Sequence, residues 1–413
     1  MDRYLVAVLA ACLAPGALAG GFLDDSKGSL ALRNFYMDRD FRSGSGQSQA
    51  REWAQGFTLK LDSGYTDGPV GFGLSLLGMA GYKLDSSPDR TGTGLLAYDP
   101  VSREVDDQYA KAGLTARLKA SRSELQLGTV QPLLPIAYPI TARLFPPVFR
   151  GAFLQSREFD ALTLHGGYFD RQKFRDSSND DKLRVSAPNK RFNGTAESDF
   201  FGFGGGEYRI SEQLTGSYYF AQLRDLYRQH YAGLTYTSPL GPGRLKGEAF
   251  YFRSTEDGAA AAGPVDNGNL NLNLSYQLGA DTLRLGHMRL SGDTGMPYLS
   301  GTDPYLIVGG SLVSEYVNPD ERVWQLRYEH DFAAQGLPGL TALVRVVHGD
   351  NVQLPQYDWR GREWERDLEL GYVVQSGSLA GLGLRLRQGH YQSDFARDVD
   401  EVRVTIDYSL ALW

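Results

Sequence analysis

The residues of this chain best placed to do chemistry are arginines, and their spacing gives them a direction. Leu382, Leu384 and Leu386 alternate with Gly383, Arg385, Arg387 and Gly389. Successive side chains of an extended strand point to opposite faces, so Arg385 and Arg387 share one face and the leucines the other. Arg403 repeats the arrangement in the last segment, where Val402, Val404, Ile406, Tyr408, Leu410 and Leu412 alternate with Glu401, Arg403, Thr405, Asp407 and Ser409. Arg284 lies between Leu283 and Leu285, Arg33 lies opposite Leu30 and Leu32, and Arg327 and Arg345 also fall on polar faces. Guanidinium groups stacked along a wet wall form a track for anions. Each can hold a carboxylate through two N–H donors, and close neighbours keep any single position from becoming a trap.

The competing reading is a wall stiffened by ion pairs. Glu329, Asp331, Asp367, Glu369, Glu401 and Asp407 are available as partners. Arg327 and Arg403 have acids two residues away on their own face, and for them the two readings balance. Arg385 and Arg387 have no acid on their own strand between Gly381 and Tyr391. Like charges kept side by side repel, so a retained cluster points to binding rather than to stability.

Catalytic patterns are missing. The chain has no HExxH, no GxSxG and no P-loop, and its histidines (165, 230, 287, 330, 348 and 390) are scattered, so neither an enzyme nor a metal or other cofactor is expected. The acidic run from Asp176 to Asp181 reads as a solvated loop. A net charge of −7 sets nucleic acid aside as a partner.

What positions the arginines is a long series of such strands. Leu270 to Leu278 alternates with Asn269, Asn271, Asn273 and Ser275; Trp324, Leu326, Tyr328, His330 and Phe332 alternate with Gln325, Arg327, Glu329 and Asp331. Tyr (24), Phe (20) and Gly (49) are abundant, which suits strands, tight turns and interfacial aromatic girdles. Past the N-terminus no apolar run approaches the roughly 20 residues of a transmembrane helix. The expected fold is all-β: a single transmembrane antiparallel β-barrel over residues 20–413. At about 22 residues per strand and connection it has about 18 strands.

Residues 1–19 read as a cleaved secretory signal: Arg3, an apolar stretch from Tyr4 to Leu13, then Ala17-Leu18-Ala19. Cleavage there removes Cys12, the single cysteine. Two loops stand out. Residues 129–157 carry Pro132, Pro135, Pro139, Pro146 and Pro147 together with Arg143, Arg150 and Arg157; such a stiff loop is expected to fold inward and narrow the bore, the alternative being a loop that covers the barrel outside. Residues 291–320 surround an apolar patch from Tyr305 to Val308.

Longer stretches carry a family resemblance. Phe22-Leu-Asp-Asp-Ser-Lys27, Leu32-Arg-Asn-Phe-Tyr-Met-Asp-Arg-Asp40, Trp53-Ala-Gln-Gly-Phe57, Arg90-Thr-Gly-Thr-Gly94, Arg143-Leu-Phe-Pro146, Asp225-Leu-Tyr-Arg-Gln229, Val323-Trp-Gln-Leu-Arg-Tyr328 and Leu384-Arg-Leu-Arg-Gln388 resemble the OprD-type substrate-specific outer-membrane porins over essentially the whole mature sequence. The resemblance implies an 18-stranded barrel whose third external loop forms a constriction. It also implies a basic ladder that guides small carboxylate-bearing nutrients inward by diffusion. It makes Arg143 a constriction residue and Arg385 and Arg387 ladder residues, with Arg33 and Arg228 in matching motifs. The 291–320 loop departs from the family pattern; Asp303 is taken as the acid facing the ladder. Cyclic or aromatic carboxylates are the expected substrates, with basic amino acids or peptides the alternative within the family. A receptor or adhesin barrel is a more distant alternative. Expected partners are the substrate, outer-membrane lipid and lipopolysaccharide, with the protein a monomer or a weak homotrimer.

Overall fold

The computed structural model describes residues 21–188 and 191–413. The expected signal, residues 1–19, lies outside the described residues.

Period-two alternation produces long strands: β1 (Lys27–Phe41), β2 (Gln49–Asp62), β3 (Gly71–Asp85), β4 (Gln108–Ala120), β5 (Ser123–Val130), β6 (Val148–Phe159) and β7 (Leu162–Lys173). A two-residue hairpin, β8 (Leu183–Arg184) with β9 (Glu197–Ser198), sits in the next loop. There follow β10 (Phe201–Arg209), β11 (Leu214–Leu223), β12 (Tyr227–Leu240), β13 (Gly243–Glu256), β14 (Asp266–Leu278), β15 (Asp281–Ser291) and β16 (Arg322–Asp331). The last are β17 (Leu340–Val352), β18 (Gly361–Val373), β19 (Gly383–Ser393) and β20 (Val399–Ala411). Apart from the small hairpin, these strands form one 18-stranded sheet. It closes where β1 pairs antiparallel with β20 from Ser29↔Ala411 to Phe41↔Val399.

The two faces sort as the sequence pattern demands. Leu270, Leu272 and Leu274 are exposed, while Asn267, Asn269 and Asn271, at odd-numbered positions of the same strand, are fully buried. In a membrane barrel such leucines face hydrocarbon and the asparagines face the bore. Connections at the end holding both termini are short, two residues at 121–122 and at 241–242, whereas those at the opposite end reach thirty residues at 292–321. Short turns mark the periplasmic rim and long loops the external one.

The inside is not an open tube. Loops 131–147 and 292–321 and the described parts of 174–200 fold inward, and their apolar residues meet inward-facing wall side chains. Phe149 stacks on Phe169 at 4.5 Å, Phe169 on Phe201 at 5.7 Å, and Leu134, Ile136, Leu183, Leu306 and Val317 join the same buried cluster. A second cluster packs Leu144 and Phe145 against Phe35, Met37 and Met79. One expected boundary moves. The proline-rich loop spans 131–147 rather than 129–157, because Val148 to Phe159 pairs with β5 and β7 as strand β6.

Candidate functional site

The constriction is built by seating loop 131–147 on the wall formed by β1 and β20. Arg33 on β1 donates to Asp407 of β20 at 2.6 Å and to the carbonyl of Arg143 at 3.0 Å, clamping the loop from below. Arg143 turns back and donates Nε to the carbonyl of Thr93, at 2.9 Å, in the loop between β3 and β4. Desolvation inside the bore, with the cations Arg403 and Arg39 nearby, drives the Arg143 guanidinium well below its ordinary pKa.

Lys111, on β4, is the pin that reasoning from sequence missed. Its buried ammonium donates to the carbonyls of Pro146 (3.1 Å), Phe174 (2.9 Å) and Arg175 (3.3 Å), tying loops 131–147 and 174–200 together. Its signal was available: a lysine at an inward position of an otherwise small-residue strand, Ala110-Lys111-Ala112-Gly113.

The second inward loop, 292–321, is held by acids of β18. The Glu365 carboxylate accepts backbone N–H groups from Leu312 (2.6 Å), Val313 (3.0 Å) and Ser314 (2.9 Å). Glu363 accepts from Asn318 at 3.0 Å and from the Tyr391 hydroxyl at 2.7 Å. Loops 131–147 and 292–321 then touch. The Asp303 N–H donates to the carbonyl of Tyr138 at 3.1 Å, and the rings of Tyr138 and Tyr305 meet edge-on at 5.3 Å. Burial raises the Asp303 carboxyl above its ordinary value, with Arg175 and Arg143 pulling the other way, and its Oδ2 has no hydrogen-bond partner among the described residues. Asp303 therefore sits on loop 292–321 within electrostatic reach of Arg143.

Along the wall the arginines fall into a band. Arg284, Arg327 and Arg345 lie directly opposite one another on β15, β16 and β17. Arg387 lies opposite Glu369 on one side and Arg403 on the other. Their partners separate them into two groups. Arg403 is 4% exposed, binds Glu401 and donates to the carbonyl of Leu312 at 2.6 Å. Arg345 is equally buried, bound to Asp367 and to the carbonyls of Gly309 and Gly310. Both are spent holding loop 292–321 to the wall. The expectation that Arg403 belongs to an open ladder is thus corrected: an acid two residues away and a loop carbonyl occupy it.

The second group stays accessible. Arg284 and Arg327 share Glu329, at 3.1 and 2.9 Å. Arg385 is 52% exposed and approaches Glu369 only at 3.4 Å. Arg387 makes no ion pair or hydrogen bond among the described residues, and its Nε is buried without a partner. Glu369 opposite it pairs with Arg385 instead, and Arg403 on its other side carries like charge, so Arg387 is open to an incoming anion.

Arg150 does not join the cluster. It projects from β6 on the face opposite the buried Phe149 and is paired with Asp170 at 2.9 Å and Asp180 at 3.2 Å. The strand starts earlier than expected, and along it Phe149 and Phe153 pack inward while Arg150 shares the outward face with the exposed Leu154. Arg228 is likewise exposed, next to the buried Tyr227, and pairs with Asp257 at 3.2 Å.

Known proteins share this construction. Residues 20–412 match the outer membrane porin, OprD family. The porin-like protein GalP of Pseudomonas putida is 37% identical over 98% of this chain and 96% of its own length. Among solved structures, OccK9 (OpdG) of Pseudomonas aeruginosa superposes with a TM-score of 0.91 at 43% identity, covering 95% of this chain and 100% of that one. OpdK of the same organism, solved with vanillate, gives 0.89 at 38% identity with the same coverage. An 18-stranded barrel with loops folded into a bore lined by accessible cations is the architecture of a selective channel across the bacterial outer membrane, and this chain belongs to the OprD family of outer-membrane porins.

Proposed function

We propose that this porin admits small carboxylate-bearing nutrients by passive diffusion, with cyclic or aromatic carboxylates favoured. The observation that carries the proposal is Arg387: a lumenal guanidinium with no ion pair or hydrogen bond among the described residues, two residues from the half-exposed Arg385 on the same face. A desolvated cation without a partner is costly, and a carboxylate passing through the constriction supplies the missing acceptor. Arg284, Arg327 and Arg143 extend the cationic surface around it. The preference for rings draws support from Tyr138 and Tyr305 at the junction of the two inward loops, and from OpdK, which was solved with a ring carboxylate.

A second reading, transport of basic amino acids or peptides, is favoured by the Asp303 carboxyl, whose Oδ2 lacks a partner at the same constriction. Uptake of labelled solutes into liposomes separates the two. Benzoate-like solutes enter faster than arginine under the first reading, and Arg385→Ala/Arg387→Ala removes that advantage. Equal carboxylate uptake by the double variant overturns the proposal. The monomer or weak trimer expected from the resemblance is tested by cross-linking in native membranes.

A further inference from the structure

The outer face of the barrel carries an arrangement that transport does not use. Arg289 on β15 and Arg322 on β16 stand directly opposite one another and project away from the bore, since Met288, Leu290 and Val323 beside them are buried inward. Like charges paired across strands are unfavourable. Arg322 is offset by Asp350, at 2.8 Å on the neighbouring strand. Arg289 has no hydrogen bond or ion pair among the described residues. Two strands away Arg253 faces outward as well, paired with Asp266 at 2.5 Å.

Immediately below, one outward row toward the periplasm, His287 and Trp324 lie opposite one another with ring centroids 4.2 Å apart. Below and beside them runs an apolar trough of about 530 Å³ lined by Leu234, Tyr236, Leu272, Leu274 and Leu285. It is open because Gly247 lies at its floor, where an added Cβ would meet nothing within 4 Å. Two rows along a strand span about 13 Å, close to one leaflet of a hydrocarbon core roughly 30 Å thick. Charge, aromatic ring and acyl-sized trough thus follow one another from the external rim inward.

We propose that this face binds a phosphorylated glycolipid of the outer leaflet, with phosphate on Arg289 and Arg322 and an acyl chain in the trough over Gly247. The guanidinium pair takes two phosphate oxygens through planar donors. His287 and Trp324 sit at headgroup depth, where amphipathic rings are favoured. Asp350 and Asp266 keep the site from being cationic enough to hold small free anions, so the acyl contact is essential to it.

The test is native mass spectrometry of the detergent-purified porin titrated with bisphosphorylated lipid A, the same lipid stripped of phosphate, and inorganic phosphate. Wild-type protein retains the bisphosphorylated lipid, and affinity falls at least tenfold for Arg289→Gln/Arg322→Gln and for Gly247→Leu. Heat-modifiable migration in gels checks that each variant is folded. Arg289→Gln alone serves if the double variant is not, because Arg289 has no partner to lose. Retention unchanged in these variants, equal retention of the dephosphorylated lipid, or inorganic phosphate binding as tightly overturns the proposal. A cross-link from position 289 to a second copy in lipid-free protein overturns it too.

Discussion

Replacing Arg387 by glutamine removes the one cation of the band that has neither an ion pair nor a hydrogen bond among the described residues, while keeping a polar end. No internal bridge is lost with it, so the change acts on the solute rather than on the wall. A charge-assisted hydrogen bond to a carboxylate contributes about 1.5–3 kcal/mol, and a tenfold change in affinity corresponds to about 1.4 kcal/mol. The dwell time of a carboxylate in the constriction is therefore expected to fall roughly 10- to 150-fold. Single-channel recording in planar bilayers, with benzoate added to one side, reads this directly as shortened current blockades. Conductance in plain salt changes little, because the bore keeps its shape. Blockades of unchanged length in a channel of unchanged conductance refute the idea that Arg387 holds the solute. Arg345→Gln is the control from the buried group: it strands Asp367 and frees the carbonyls of Gly309 and Gly310, so it destabilises the fold by about 3–5 kcal/mol and raises current noise without selectively shortening blockades.

Other expectations follow from the loop anchors. Glu365→Gln replaces an acceptor of three backbone N–H groups by an amide with a single acceptor oxygen; loop 292–321 loosens, and protease sensitivity between Leu306 and Ser314 rises, whereas an uncut loop argues against the anchor. Lys111→Met frees the carbonyls of Pro146, Phe174 and Arg175, and single-channel conductance rises as two loops leave the bore; unchanged conductance contradicts that role. Burial holds the Asp303 carboxyl above its ordinary value, so as pH falls it is neutralised while ordinarily placed aspartates are still ionised. The constriction thereby loses negative charge, and anion-over-cation permeability, read from reversal potentials, rises on acidification above the ordinary aspartate range. The same rise in Asp303→Asn means that another group is responsible.

Much of this molecule was legible because a membrane barrel writes its two faces into alternate residues. The leucine–asparagine alternation of β14 and the Leu-Arg-Leu-Arg run of β19 fixed which side chains look inward, and the structure agrees at each. Alternation says nothing about the company an inward residue keeps. Glu401 beside Arg403 set it apart from Arg385 in the sequence, but nothing there shows that Arg385 is half-exposed while Arg403 is sealed beneath Leu312 by a loop about ninety residues earlier in the chain. Arg150 was expected on an inward loop for a local reason: Pro146 and Pro147 end the loop, but strand resumes at once and its alternation, with Phe149 inward, puts the arginine on the outer side. Lys111 could be singled out as an inward lysine, but what it and Glu365 hold could not be read, because their partners are backbone atoms, which leave no mark in side-chain patterning.

The seam between β1 and β20 has a consequence for assembly. Thirteen consecutive residue pairs join positions some 370 residues apart, so the earliest strand to be made waits for the latest before its free edge is satisfied. Until then the Arg33–Asp407 bridge that seats the constriction does not exist either. Closing the cylinder and finishing its selective throat are one event, and a chain caught half-inserted has neither.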